Sequence, residues 1–566
     1  MKRRDFMLGL GAGAIISTVD WLRFFRTAGI PGTTKTLGFA EAHAAEASIE
    51  PRFLIYWNLE GGWDGYSMFN PVDTRNDATM NIPENTLTPN PDWADQIYRP
   101  RGYDATRTDM TYGRAKVNGN ITYGYLADDA GPDLLNDMAV VSSCYGSQFH
   151  SGGRFDTHYG TYSRSMTAYR GNNERTVMQA FAEAYGSDKL MANISWHLWL
   201  SDGELSLTSY PEGTGYYEKL GPAYAHTIYG ELPGAMRQRL KQIGSLAGNA
   251  RDDRVRAFAD NINQNFLKDK NSASVKAFAS AVEIYKSQTG VGLSIDPNTM
   301  FTDSAQRSAF GIQASDESAS SSSINGNPAR TKNTPNTNVQ AMMTYELMTK
   351  GVSNAFFIES RDLRSFDTHS GRRGIFSNAG QPDQLKRMRD NLWTPLKVLV
   401  AKLKSTVVPN TGGKTYYDCT TIVLTSEMGR IMGQVDAAAL RDDPKLTTTE
   451  AKFDAIMDQD VCQHWFISSA AFLGGTVQGN RQWGKAGTGP NQPSIPLMPD
   501  GSLDPNYDAT TGVLKSGQAQ SDVSKVPDAG SIYSTALYLS GLDQDTLRQQ
   551  GKGKNTSPAL KYIKKA

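Results

Sequence analysis

The sequence predicts an α/β fold, and three observations carry that prediction. Short apolar runs of strand length recur along the chain: Phe53 to Trp57, Met138 to Val141, Phe356 to Glu359, Thr420 to Ser426 and Trp465 to Leu473. Leu385, Met388, Leu392, Leu396, Leu399 and Leu403 step by three or four, the clearest amphipathic helix in the chain despite Pro395. That helix lies between two of the runs, so residues 354 to 426 read strand, helix, strand. Such a βαβ unit implies parallel pairing and a right-handed crossover.

A chain of 566 residues can hold one large or several ordinary domains, and a hydrophobic content of 39% is ample for a real core. Lys plus Arg and Asp plus Glu number 58 each, so no global field directs the chain to nucleic acid or to an acidic surface. Local sites must carry the function. The three cysteines, Cys144, Cys419 and Cys462, make no disulfide framework and match no zinc spacing. They are expected to pack as small apolar side chains, with Cys462 two residues from His464.

The amino terminus reads as an address. Lys2-Arg3-Arg4-Asp5-Phe6-Met7 precedes a glycine-containing apolar run from Leu8 to Val19, the form of a twin-arginine export signal. Glycines, Asp20 and Arg23 interrupt that run far short of the ~20 residues a span needs, so no stable membrane span is expected. Cleavage after Ala42-His43-Ala44, or a residue or so later, makes residues 1–45 the signal peptide and 46–566 the domain. The expectation is passage through the twin-arginine translocase to the periplasm or beyond.

From there the elements follow in order. The run Phe53 to Trp57 reads as a buried strand leading into Glu60-Gly61-Gly62-Trp63-Asp64-Gly65, where glycines let the backbone turn and bring Asp64 to the strand's end. Residues 70 to 130 read as long polar surface loops. After the strand at Met138 to Val141 comes Phe155-Asp156-Thr157-His158-Tyr159, compatible with a helix starting near Asp156 or Thr157. A hydroxyl at a helix start sits among free amide N–H groups, which suits a nucleophile or an anion site. His150 lies in the loop just before and is a lesser candidate.

Val177, Ala180, Phe181 and Ala184 make one face of a helix from Glu174 to Gly186, and Ile194 to Leu200 is read as a strand carrying His197. His197 and His226 have no acidic or histidine neighbours at ligand spacing and are taken as structural. Residues 233 to 289 read as consecutive amphipathic helices, an insertion at about 230–290. Ser315 to Asn338, rich in Ser, Asn, Thr and Pro, reads as a mobile linker. Val339 to Lys350 returns as a helix, leading to the strand that ends in Glu359 and then to Asp367-Thr368-His369. Two later stretches echo that site: Thr420 to Ser426 running into Glu427-Met428-Gly429-Arg430, and Asp458-Gln459-Asp460 leading to His464. Beyond Gly474-Gly475 the chain is expected to form irregular loops to about 529. Asp504, Asn506 and Asp508 alternate like a calcium loop, but Ala509 stands where glycine is required. A last helix from Ile532 to Gly541 and a frayed basic tail complete the reading.

Carboxylates and imidazoles at several strand ends can converge on a divalent cation. With these residues in place, the chain resembles the secreted bacterial domain-of-unknown-function family fifteen-oh-one, within the alkaline phosphatase and sulfatase superfamily. The resemblance covers about residues 50 to 490. It rests on the order of Gly61-Gly62-Trp63-Asp64-Gly65, Thr157-His158-Tyr159, Phe366-Asp367-Thr368-His369, Ser426-Glu427-Met428-Gly429-Arg430 and His464-Trp465. The resemblance implies an alkaline-phosphatase-like central, mostly parallel sheet flanked by helices, with a helical insertion and long loops.

By position, Asp64, Asp367, His369, Glu427 and His464 resemble metal ligands and Thr157 the nucleophile. Arg430 is then the residue to hold a non-bridging oxygen, and His158 the one to move a proton. The implied function is metal-dependent hydrolysis of an anionic phosphate or sulfate ester. Zinc is the first metal to expect, with calcium, magnesium and manganese as alternatives. Three departures matter, the first being an Asp367-to-His369 spacing shorter than in typical phosphatases. Where the superfamily commonly has Asp-His after the fourth strand this chain has Glu427-Met428, so one histidine ligand is absent, and there is no Cys-x-Pro-x-Arg from which a sulfatase formylglycine could form. The rival expectation is a non-catalytic binding or assembly protein on the same fold, with a secreted protein partner.

Overall fold

All seven residues of the first strand, β1 (Phe53–Leu59), are buried, which is why it reads as a continuous apolar run rather than an alternating one. The structure is a computed structural model describing residues 50–71, 115–147, 176–196, 296–313, 336–360, 388–430, 443–447, 464–487, 493–543 and 557–565. Within those ranges 60, 64, 66, 67, 187, 188, 190, 192, 297 and 446 are outside the description, while 153, 156, 157, 160, 233, 236, 237 and 240 are added to it. At 125, 179, 183, 195, 430 and 464 the backbone alone is described.

The strands that follow β1 are β2 (Lys116–Asn118), β3 (Ile121–Tyr123), β4 (Ala139–Tyr145), β5 (Ile194–Ser195) and β6 (Ala355–Ser360). Then come β7 (Thr420–Ser426), β8 (Gly429–Arg430), β9 (His464–Trp465), β10 (Ile467–Gly474) and β11 (Arg481–Trp483). The helices are α1 (Gly131–Asp137), α2 (Val177–Tyr185), α3 (Ser304–Ala309), α4 (Thr337–Thr349), α5 (Thr394–Ser405) and α6 (Ala529–Leu539). None of the described helices is long and apolar enough to cross a membrane.

Seven strands form one sheet in the order β11-β4-β10-β7-β1-β6-β5. Strand β10 pairs antiparallel with both β4 and β7, and the remaining pairings are parallel. Six strands therefore run one way and one runs against them. Phe53, Ile55, Trp57 and Leu59 pack with Leu347 of α4 and Leu396 and Leu399 of α5. Leu54 and Tyr56 pack on the opposite side, with Phe181 of α2 and Ile532 and Ala536 of α6. Helices thus cover both faces, an α/β architecture.

Several expectations are refined. The β6–α5–β7 unit is parallel, but β1 lies between its two strands instead of leaving them adjacent. Pro395 is tolerated because a π turn at Arg389–Trp393 precedes α5 and leaves the proline in its first turn, where no backbone N–H is needed. The run from Trp465 to Leu473 breaks at Phe466, so His464 and Trp465 belong to a separate two-stranded ladder with β8. Among the described residues of the expected strand, Ile194 and Ser195 pair with β6, while His197 lies outside the description. His150 and Cys462, and most of residues 233 to 289, also lie outside.

The loop beyond β11 is more ordered than its composition suggests. Asp504 is buried and accepts from Asn506 N–H (2.9 Å), Ser521 N–H (2.9 Å) and Ser524 Oγ (2.5 Å), so its carboxylate closes the loop rather than facing a calcium ion. The tail is anchored too: Leu560 and Ile563 are buried with α6, and Val477 bridges Lys564. Cys144 and Cys419 are both buried, as expected of small apolar side chains. Burial, and then Asp528, push the Cys144 thiol up to about 12.

Helix α4 is buried almost all round, which explains its lack of a polar face, and it carries Glu346 inward. That carboxylate accepts from Phe301 N–H (2.8 Å) and from Gln306 Nε2, fixing Phe301 in a left-handed conformation with φ 63°. Burial pushes the Glu346 carboxyl above its ordinary value of 4.5, against the Phe301 N–H that lowers it. A raised folded value means this group's contribution to stability is complete below the unfolded pKa and is lost as pH rises through the folded one. Relative to a Glu346→Gln variant, the wild type should therefore lose stability as pH rises above the ordinary glutamate value of 4.5, read as the urea midpoint against pH. Parallel pH profiles would show that Glu346 is not the group responsible.

Candidate functional site

The sheet brings the predicted segments to one edge. Strands β1, β4, β6 and β7 run parallel, so the chain leaving each of them emerges at the carboxyl edge. Because β10 is antiparallel, its beginning lies there as well, with Ile467 opposite Tyr145, and β9 immediately precedes it. The backbones of Gly61–Trp63, Glu427–Arg430 and His464–Trp465 accordingly meet at the end of the sheet where ligands of α/β folds collect. Asp64, His158, Asp367 and His369 lie outside the described residues.

The chain turns off β1 through Gly61 and Gly62, whose φ angles of 103° and 79° suit glycine. Gly61 N–H donates to Glu427 Oε1 (2.9 Å), and Trp63 N–H donates to Ser426 Oγ (3.0 Å). Ser426 Oγ in turn donates to Leu59 O (2.9 Å), closing β1 onto β7. The Trp63 indole, fully buried, donates to Ser468 Oγ (3.0 Å) on β10 and floors this end of the sheet. Glu427 itself is only 1% exposed, a carboxylate taken out of water beside backbone donors.

Thr157 is reached through Gly153. A Cβ at Gly153 would lie 2.1 Å from Glu427 O and 3.0 Å from Glu427 Cβ, so this helical glycine packs directly on the end of β7. Asp156 and Thr157, both buried, follow in helical conformation, and Gly160 closes the turn at φ 60° with its N–H on Asp156 O (2.8 Å). Gly153, Asp156 and Thr157 are each in helical conformation. Arg430 and His464 face each other on the β8–β9 ladder, one rung joining two predicted site residues.

Asn58 and Glu359 were not among the sequence candidates. Both are fully buried at the carboxyl ends of β1 and β6, and Asn58 Nδ2 donates to Glu359 Oε1 (3.1 Å) and Oε2 (3.2 Å). Gln340 of α4 holds the strand end, donating to Glu359 O (2.9 Å) and accepting from Glu359 N–H (3.0 Å) where β5 has already stopped. The available signal was a polar residue at the carboxyl end of each of two apolar runs.

The edge is rich in buried oxygen donors, which fits a divalent cation, although among the described residues no three His, Cys, Asp or Glu side chains group as a metal site. No family model matches the chain, and no curated protein or solved structure matches it either.

Gly153→Ala is expected to cost about 1–3 kcal/mol, since the clash is with backbone that cannot yield. Gly146→Ala, whose nearest contact would be an ordinary 3.5 Å to Glu427 O, should stay within about 1 kcal/mol of wild type. Equal midpoints for the two variants in urea unfolding would refute the close packing of Gly153 on β7.

Proposed function

We propose that the protein is an exported, metal-dependent hydrolase of phosphate or sulfate esters. The observation that supports this reading is the packing of Gly61 and Gly153 on Glu427 at the carboxyl edge, beside the Arg430–His464 backbone rung. The order of motifs that resembles the secreted family of the alkaline phosphatase superfamily supports it independently.

In this reading Asp64, Asp367, His369, Glu427 and His464 hold the cation. When bound, a divalent metal polarises the ester and stabilises developing negative charge. Thr157 Oγ1 attacks phosphorus or sulfur in line, forming a new ester bond as the bond to the leaving alcohol oxygen breaks. His158 accepts the threonine proton or returns one to the leaving oxygen, and Arg430 holds a non-bridging oxygen through paired N–H groups. Water then cleaves the threonyl ester. Burial of Thr157 keeps bulk water from competing during the first step.

The test is turnover of aryl phosphate, phosphodiester and aryl sulfate by the exported protein, with its metal content measured in parallel. Thr157→Ala should lose at least about a thousandfold in kcat with metal content intact. Unchanged turnover would remove Thr157 from the mechanism. Bound metal with no turnover of any ester would instead favour a binding or assembly protein.

A further inference from the structure

Asn58 occupies the middle of a row of buried polar residues that crosses three strands of the sheet. In register it faces Glu359 of β6 on one side and Thr425 of β7 on the other, and all three are buried. Its amide nitrogen lies 3.1 Å and 3.2 Å from the two carboxylate oxygens of Glu359. That contact orients the amide with its nitrogen toward Glu359. Asn58 Oδ1 is thus turned away from Glu359. It is cut off from solvent and has no hydrogen-bond partner.

A buried, unpaired carbonyl oxygen calls for a specific occupant, an ion or an ordered water. Two residues beyond Thr425 stands Glu427, whose Oε1 holds Gly61 N–H just past Asn58 on the same β1 turn. Asn58 Oδ1 and the Glu427 carboxylate therefore flank the same end of the β1–β7 pair. We propose that Asn58 Oδ1 is a ligand of a divalent cation at this edge and that Glu359 is the positioning residue that aims it. The inference rests on the metal-dependent reading above and adds to its ligand set an oxygen where the chain lacks an imidazole after β7. A neutral carbonyl in place of an imidazole makes the site hospitable to harder cations such as Mn²⁺.

The experiment uses the full exported chain, stripped with a chelator and titrated with Mn²⁺, reading free Mn²⁺ by electron paramagnetic resonance and thermal unfolding in parallel. Asn58→Leu should weaken Mn²⁺ binding by about tenfold or more, and Glu359→Leu by about tenfold through loss of the aiming contact. Asn58→Asp keeps the side-chain volume and tests the same point without repacking. It sets two carboxylates together, so the metal-free protein should melt lower than wild type and gain more from Mn²⁺ than wild type does. A purely structural asparagine would give the lower melting temperature without the larger metal response. Equal Mn²⁺ affinity in wild type, Asn58→Leu and Asn58→Asp would overturn the ligand role and leave the metal-dependent reading standing. A wild-type protein that binds Zn²⁺ but not Mn²⁺ would overturn the inference alone. One that binds neither would overturn both.

Discussion

The register of β1 between β6 and β7 is the constraint on which the rest of the molecule depends. Leu54 to Leu59 pair one for one with Ala355 to Ser360, and Phe53 to Leu59 with Thr420 to Ser426. Because side chains alternate with a period of two, a slip of one residue would send Trp57 and Leu59 into the α2–α6 layer and Tyr56 into the other. It would also separate Asn58 from Glu359 and Leu59 from Ser426. Fold and site are therefore specified by the same pairing, and core packing on both faces enforces it.

The closure of the carboxyl edge uses few interactions, most of them buried and polar. Trp57 Nε1 donates to Ser360 Oγ (2.6 Å), Trp63 Nε1 to Ser468 Oγ, and Ser468 Oγ to Met428 O (3.3 Å). Each indole places a large apolar body in the core while its one donor ties two strands together. Glycine completes the arrangement where backbones meet: a Cβ at Gly429 would lie within bonding distance of Ile467 O, so the β8 turn can approach β10 only without a side chain.

Much of this was legible in the sequence, for a physical reason. Strands buried on both faces read as continuous apolar runs, and Phe53 to Trp57, Phe356 to Glu359 and Thr420 to Ser426 all became core strands. The same property hid the direction of β10, since a run buried on both sides carries no mark of which way it lies. The order β6-β1-β7 was equally hidden, because it is set by which strands pack together across hundreds of residues. Glu427 was readable because it follows a strand. Asn58 and Glu359 are the last residues but one of theirs, where a polar residue closing an apolar run was the sign. At Asp504 the sequence already disfavoured calcium, since Ala509 stands where glycine is required, and the carboxylate there gathers its own backbone donors.

The β8–β9 ladder has a consequence for how this architecture can diversify. The chain departs after Arg430 and returns at His464, opposite each other on one rung, so the excursion between them begins and ends at a single fixed gate. Closing such a loop costs entropy that grows only as the logarithm of its length. Segments of very different size and composition can therefore be exchanged at that gate while the seven-stranded sheet keeps its pairing. Selection can revise that excursion without renegotiating the pairing of the sheet.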